Sequence, residues 1–131
     1  MIDIEQFTAM ADEIVNSLPQ EFFRKLNGGV LILEQCKPHP DSRTGAPLYI
    51  MGEYTNSRMM GRYVSIYYGS FEKAYSHLPA DRLRERLRET IVHEFRHHLE
   101  SLSGRRELEI EDAEKLAEYR ARHGEGQSED N

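Results

Sequence analysis

The chain has 131 residues, of which 38% are hydrophobic and 31% are charged, and its formal net charge is −6. This length and composition predict a single soluble globular domain. The acidic balance argues against nucleic acid as a partner, because binding to phosphates needs a positive field. The first residues lack the regions of a secretory signal and no apolar run is long enough to span a bilayer, so we expect a cytoplasmic protein with no membrane partner.

The first half of the chain predicts one helix followed by three strands. Apolar residues recur at helical spacing over residues 3–18, after which a proline opens a short helical turn. A glycine pair then precedes residues 30–36, an apolar run typical of a buried strand. Residues 48–54 and 63–68 predict two further strands because β-branched and aromatic residues are frequent in them.

The second half predicts helices. A short helix is expected over residues 71–77, and Asp81 marks the first turn of a long helix whose apolar stripe continues to a predicted end at Gly104. A last helix is predicted over residues 109–122, and the Gly-, Glu- and Ser-rich tail 123–131 is expected to be disordered.

The order of these elements predicts an α+β domain over residues 1–122. A short mixed or antiparallel sheet is expected to pack on the long helix, with helices at both ends of the chain. Cys36 is the single cysteine, and its place at the end of an apolar run favours a structural thiol over a nucleophile. Four arginines near the start of the long helix alternate with acids, which indicates a solvated surface rather than a nucleic-acid patch.

The long helix carries the motif that points most directly to chemistry, His93-Glu94-Phe95-Arg96-His97. Residues four apart on a helix lie about 40° apart around the axis and about 6 Å along it, so both imidazoles can bind one tetrahedral Zn²⁺ ion. Glu94 lies about 100° from His93 and is placed to reach a water on the metal as a general base. The motif therefore predicts a single-zinc site of the metallopeptidase type.

The same pattern has an alternative interpretation, a surface pair of histidines on a salt-bridged helix. His98 points about 100° away from His97, so we expect it to support the site from behind or to lie on the surface rather than to bind zinc. His39, His77 and His123 lie in a loop, a helix end and the tail, where histidines are usually solvated.

A catalytic zinc site usually has three protein ligands and one open position, so a third ligand must come from elsewhere in the chain. The residues that follow Gly104 are rich in acids, although acids are also favourable at the start of any helix. A short turn at Gly104 would bring the last helix back toward the zinc-binding face. We therefore expect one of Glu109, Glu111 and Asp112 to be the third ligand.

The stretch from Thr90 to His98, which follows an Arg- and Glu-rich helix start, resembles the small bacterial zincin-like metallopeptidase family, also described as minimal gluzincin-like proteins. Two upstream stretches are similar to that family as well. They are Ser17 to Phe22, which precede an apolar strand, and Val64 to Phe71, which resemble the edge strand of the family and its turn into the next helix. The resemblance covers about residues 5–118.

The resemblance implies a compact α+β zincin fold with zinc at His93 and His97. It implies a peptidase acting on a peptide or protein substrate, in which Glu94 takes a proton from the zinc-bound water and passes it to the leaving amine. Residues 110–112 resemble an Ile-x-Asp segment of the family, so Asp112 is implied as third ligand, with Glu111 as second choice.

Two further parts of the chain are expected to contact the substrate. An extended peptide is expected to pair with an exposed edge of the strand over residues 63–68. Tyr67 or Tyr68 is a candidate donor to the oxyanion, although tyrosines that merely cover a sheet face are the simpler explanation. A function of another class also stays open, because so short a chain leaves little room for a substrate-binding subdomain. It is a non-catalytic domain that keeps the fold and binds metal or a protein.

Overall fold

The structure, a computed structural model, describes the backbone of residues 1–110 and the side chains of residues 1–103. Helices stand at both ends of this part, with the strands between them, so the predicted α+β class is confirmed. The elements are α1 (Ile4–Asn16), a 3₁₀ helix (Gln20–Phe23), β1 (Gly29–Leu33), β2 (Lys37–Pro38), β3 (Tyr49–Ile50), β4 (Gly52–Ser57), β5 (Gly61–Tyr67), α2 (Tyr68–Tyr75) and α3 (Ala80–Ile110).

Helix α1 begins at a reciprocal pair of side-chain hydrogen bonds. The Asp3 carboxylate accepts from the backbone N–H of Gln6 at 2.8 Å, and the Gln6 side chain accepts from the backbone N–H of Asp3 at 3.0 Å. This capping box satisfies two N–H groups that the first turn would otherwise leave unpaired. The helix then buries one apolar face, comprising Phe7, Ala11 and Ile14.

The main sheet has three strands in the order β1-β5-β4, with β5 parallel to β1 and antiparallel to β4. Strands β2 and β3 form a separate antiparallel pair. The expected exposed edge on the strand over residues 63–68 was wrong, because β5 is the central strand and is hydrogen-bonded on both sides. Within the described residues, the free edges of this sheet belong to β1 and β4.

The core fills the space between α1, α3 and the sheet. Val64 and Ile66 of β5 are fully buried, and the ring of Phe23 packs edge-on against Phe95 with centroids 5.2 Å apart. Helix α3 presents residues spaced four apart to this core, as its sequence predicts, and each such side chain contributes about 1.5–3 kcal/mol by burial. They are Leu83, Leu87, Ile91 and Phe95, all at most 1% exposed.

Helix α3 continues beyond the predicted end at Gly104 and reaches Ile110. The prediction was wrong because it depended on glycine alone, and a glycine inside a helix costs only about 1 kcal/mol relative to alanine. The residues on either side of Gly104 include leucine, arginine and glutamate, which are good helix formers. The turn that was expected to bring the next segment back toward the histidines is therefore replaced by continuing helix.

The bounds of all three predicted strands differ from those in the structure. The strand expected over residues 30–36 ends at Leu33, and the strand expected over residues 63–68 begins at Gly61. The strand expected over residues 48–54 is interrupted at Met51 and continues as β4 to Ser57. Tyr68, predicted as the end of a strand, is the first residue of α2. The predicted residues 111–122 of the last helix and the tail 123–131 lie outside the described residues.

Candidate active site

His93 and His97 converge on the surface of α3. Their Nε2 atoms are 3.2 Å apart, and their rings are nearly perpendicular with centroids 4.7 Å apart. Two nitrogens that bind one tetrahedral zinc ion at the usual bond length lie about 3.3 Å from each other. The type and spacing of these two donors therefore fit the metal that the motif predicts. Both residues are partly exposed to solvent, and the side chain of His97 is 19% exposed.

Glu94 lies next to His93 in the chain but is only 2% exposed. Carboxylates are rarely buried to this extent unless they are paired or serve the chemistry of a site. The following residue, Phe95, is fully buried in the core and anchors this turn of α3. The carboxylate is thus held on a rigid helix beside the two half-buried imidazoles.

His98 is fully buried, and both of its ring nitrogens are hydrogen-bonded. Nε2 lies 2.8 Å from the carbonyl of Arg24, which can only accept, so the ring proton is on Nε2. Nδ1 then accepts from the hydroxyl of Tyr54 at 2.8 Å. Arg62 extends the network by donating to Tyr54 at 3.4 Å and to Ser101 at 2.6 Å. The network connects α3 to β4, to β5 and to the segment after the 3₁₀ helix.

The electrostatic setting of His98 agrees with this geometry. Burial is the largest effect and lowers the pKa of the imidazole, whereas the hydrogen bond to the Arg24 backbone, the next largest effect, raises it. The positive charges of Arg62 and Arg24 add smaller decreases, and the net result is a lowered pKa. A neutral ring suits a position between one acceptor and one donor. The sequence placed His98 behind the site or on the surface, and the structure places it in the core behind the two convergent histidines.

Strand β4 passes very close to α3 one turn before His93. A Cβ atom on Gly52 would lie 2.9 Å from Cγ2 of Thr90 and 3.1 Å from Cδ1 of Ile66. Only glycine permits so close an approach without displacement of its neighbours. The absence of a side chain at this position therefore sets the distance between the strand and the helix that carries the motif.

The hydroxyls of Tyr67 and Tyr68 both donate hydrogen bonds within the fold. Tyr67 donates to Glu53 at 2.6 Å, and Glu53 also accepts from the Lys37 ammonium at 2.8 and 2.9 Å. Burial, followed by the hydrogen bond to Glu53, raises the pKa of Tyr67 well above its usual value. Tyr68 donates to the carbonyl of Ile2 at 2.6 Å. These contacts agree with the simpler explanation of sheet-covering tyrosines, and an oxyanion role for either one stays a prediction.

The third ligand is the part of the predicted site that the described residues do not supply. Within this part of the chain, no three His, Cys, Asp or Glu side chains cluster as a metal site. Glu109 belongs to the continuing helix α3, and Glu111 and Asp112 lie outside the described residues. Their assignment as ligands stays a prediction. Also within this part of the chain, no helix is long and apolar enough to cross a membrane.

The sequence indicates the histidine pair but not the groups that fix this turn of α3 through His98. Tyr54, Arg62 and the carbonyl of Arg24 come from distant parts of the chain and carry no motif of their own. Glu100 was also missed, although its Oε1 lies 3.8 Å from Nδ1 of His97. The spacing of three residues between Glu100 and His97 was the available signal, because such residues are neighbours on a helix surface.

Comparison with known proteins identifies the family. The sequence profile of the family described as zincin-like metallopeptidase matches residues 40–117, more than half of the chain. The chain therefore belongs to the zincin-like metallopeptidase family, and the predicted resemblance is confirmed. Membership in this family implies zinc binding, which the donor set of His93 and His97 fits.

One solved structure extends the comparison to the fold. The chain is similar to a conserved hypothetical protein from Thermo thermophilus, with 33% sequence identity and a TM-score of 0.63. The match covers 79% of this chain and 99% of that chain. A comparison with curated proteins found no match.

Proposed function

We propose that the protein is a zinc-dependent metallopeptidase in which His93 and His97 bind the metal and Glu94 is the general base. The observation that carries this proposal is the 3.2 Å approach of the two Nε2 atoms on the helix that also holds the buried Glu94. Asp112, with Glu111 as second choice, is proposed as third ligand on the basis of the resemblance of residues 110–112 to the family.

In the proposed reaction, zinc acts as the Lewis acid and the side chains of α3 bind the metal and transfer the proton. Zinc, when bound, supplies a Lewis acid that polarises a peptide carbonyl and makes a water molecule more acidic. The imidazoles of His93 and His97 hold the metal at the surface of α3. The Glu94 carboxylate takes a proton from the attacking water and delivers it to the amine that leaves. Phe95 and the His98 network restrain the helix, so these groups keep their relative positions during both proton transfers.

Strand β4 is the proposed contact for an extended peptide substrate. In an antiparallel pair, alternate residues direct their N–H and C=O groups away from the neighbouring strand. The hydrogen bond from the N–H of Tyr67 to the carbonyl of Met51, 2.9 Å long, sets this alternation in β4. The residues whose backbone groups face the free edge are Gly52, Tyr54 and Asn56. A peptide that pairs there adds a strand to the sheet beside α3.

The proposal is tested by measuring zinc binding and peptide hydrolysis in the same preparations. We expect the wild-type protein to bind zinc in a 1:1 ratio and to gain about 2.7 kcal/mol in unfolding free energy at a free zinc concentration one hundred times the Kd. Glu94→Gln should retain zinc but lose hydrolysis of an unstructured peptide library, because the amide cannot take up the proton. Glu85→Gln, an exposed position on the same helix, serves as the matched control.

A non-catalytic metal- or protein-binding domain is the second candidate function. It is supported by the finding that no three His, Cys, Asp or Glu side chains form a metal-binding group among the described residues. This candidate predicts zinc binding without any peptide hydrolysis that Glu94→Gln abolishes. A wild-type protein that fails to bind zinc at all would contradict both candidates.

A further inference from the structure

Glu100 lies on the same face of α3 as His97. Its Oε1 atom is 3.8 Å from Nδ1 of His97, and the two residues are three positions apart on the helix. Nδ1 is the ring nitrogen that does not face His93. The side chain of Glu100 is 43% exposed, whereas that of His97 is 19% exposed, so the carboxylate borders the site on its solvent side.

The close approach of the two imidazoles restricts the positions of their protons. At 3.2 Å, a hydrogen bond between two neutral rings requires one Nε2 to donate and the other to accept. Metal binding instead requires that both Nε2 atoms accept, so the proton of each neutral ring must be on Nδ1. A carboxylate near Nδ1 favours this tautomer, and histidines that bind metals commonly donate their second N–H to such a group.

We propose that Glu100 is a positioning residue for the metal site, whose carboxylate accepts the Nδ1–H of His97 and thereby presents its Nε2 lone pair to a divalent metal. The inference rests on the proposed function, since it assigns His97 as a ligand. A distance of 3.8 Å is longer than a direct hydrogen bond. Rotation of the partly exposed Glu100 side chain, or one bridging water, completes the contact.

The neighbouring histidine provides an internal contrast for this proposal. His98 holds its proton on Nε2, because the Arg24 carbonyl accepts there and the Tyr54 hydroxyl donates to Nδ1. Two adjacent residues of one helix are thus assigned opposite tautomers, each selected by the group near its ring. In the metal-free protein, His97 should carry Nδ1–H, and His93 should donate its Nε2–H to Nε2 of His97.

The test combines a tautomer measurement on the metal-free protein with zinc affinity. Long-range proton–nitrogen NMR spectra should show His97 in the Nδ1–H form in the wild type, with a clear shift toward the Nε2–H form in Glu100→Ala. Competition with a chelator of known affinity should show zinc binding weakened by about 10–100-fold in Glu100→Ala. Glu100→Gln should recover part of this loss, because its amide oxygen can still accept. Glu85→Ala should leave both readouts unchanged.

The two proposals fail in distinguishable ways. A wild-type His97 in the Nε2–H form, or zinc affinity in Glu100→Ala within about threefold of wild type, would overturn the role of Glu100 while leaving the zinc site intact. Absence of zinc binding in the wild type would overturn the proposed function, and the metal-free spectra would still decide the His97 tautomer. A loss in Glu100→Gln as large as that in His97→Ala would contradict positioning and indicate direct ligation. Melting temperatures of all variants identify any that fail to fold.

Discussion

His97 and His98 are adjacent in the chain but occupy opposite settings on α3. His98 is fully buried with both nitrogens hydrogen-bonded, whereas His97 is half-buried with its Nε2 facing that of His93. A rotation of about 100° around the helix axis separates the two roles. The difference shows that the position of a histidine around the helix axis, and not its nearness to the motif in the sequence, decides whether its ring packs in the core or turns toward His93.

The buried side of α3, which carries Phe95 and His98, also determines the geometry of the side that carries His93 and His97. His98 connects α3 to Arg24 and Tyr54, and Phe95 is locked among the aromatic rings of the 3₁₀ segment. Rotation of α3 about its axis would break these contacts together. The direction in which His93 and His97 face is therefore set by interactions on the other side of the helix.

The largest expected effect comes from a substitution on the side of α3 that carries His93 and His97. His97→Ala should weaken zinc binding by about a thousandfold or more, because one of few ligands is lost from a site of high affinity. Its unfolding free energy without zinc should fall by only about 1 kcal/mol, because the partly exposed ring loses one hydrogen bond, to His93. Chelator competition and thermal unfolding, each with and without zinc, measure the two quantities. Retention of zinc affinity by this variant would contradict the assignment of the ligand.

A smaller effect is expected on the buried side. His98→Leu should lower the unfolding free energy by about 3 kcal/mol, because it leaves the Arg24 carbonyl and the Tyr54 hydroxyl without their partner. Tyr54→Phe, the matched control, should cost about 1 kcal/mol. Denaturant unfolding measures both values. If His98→Leu instead abolished zinc binding in a protein that remains folded, the contrast between the two histidines would be wrong.

The same buried side predicts a dependence of stability on pH. The pKa of His98 is lowered in the folded protein from its ordinary value of 6.5. Below pH 6.5, the unfolded chain therefore binds a proton at His98 that the folded protein does not bind. Stability from this residue is therefore present above pH 6.5 and is lost as the pH falls toward the folded-state pKa, with a slope of at most about 1.4 kcal/mol per pH unit. Denaturant titrations of wild type and His98→Leu should show a shallower slope in the variant, and equal slopes would contradict the prediction.

The smallest effect concerns a tyrosine whose role is still open. Tyr67→Phe removes the hydrogen bond to Glu53 and should lower stability by about 1 kcal/mol without affecting turnover. An oxyanion donor would behave differently, because its loss lowers kcat by about a hundredfold or more. Parallel measurement of kcat and unfolding free energy separates these outcomes and shows whether polar side chains other than those on α3 take part in the chemistry.

The helix-based part of the site was predictable because helical periodicity is local. Four-residue spacing alone is enough to place His93 beside His97 and to place Leu87, Ile91 and Phe95 in the core, where they lie. A strand carries no comparable signal of its neighbours, so the sequence did not reveal that β5 lies between β1 and β4.

The partners of His98 were unpredictable for a related reason. Tyr54 and Arg24 lie 44 and 74 positions away in the chain, and only the assembled fold brings them to the ring. The error at Gly104 has another origin, because a permissive residue was interpreted as a required stop. Glycine allows a helix to end without forcing it to do so.

The contact between Gly52 and Thr90 has a consequence for how this protein can vary. A methyl group at position 52 would meet Cγ2 of Thr90 at 2.9 Å, so Gly52→Ala alone should displace β4 from α3. Thr90→Ser removes that methyl group and relieves the closest of the clashes. The two positions are therefore expected to covary among related sequences, and substituting both together offers a means of adjusting the distance between β4 and α3.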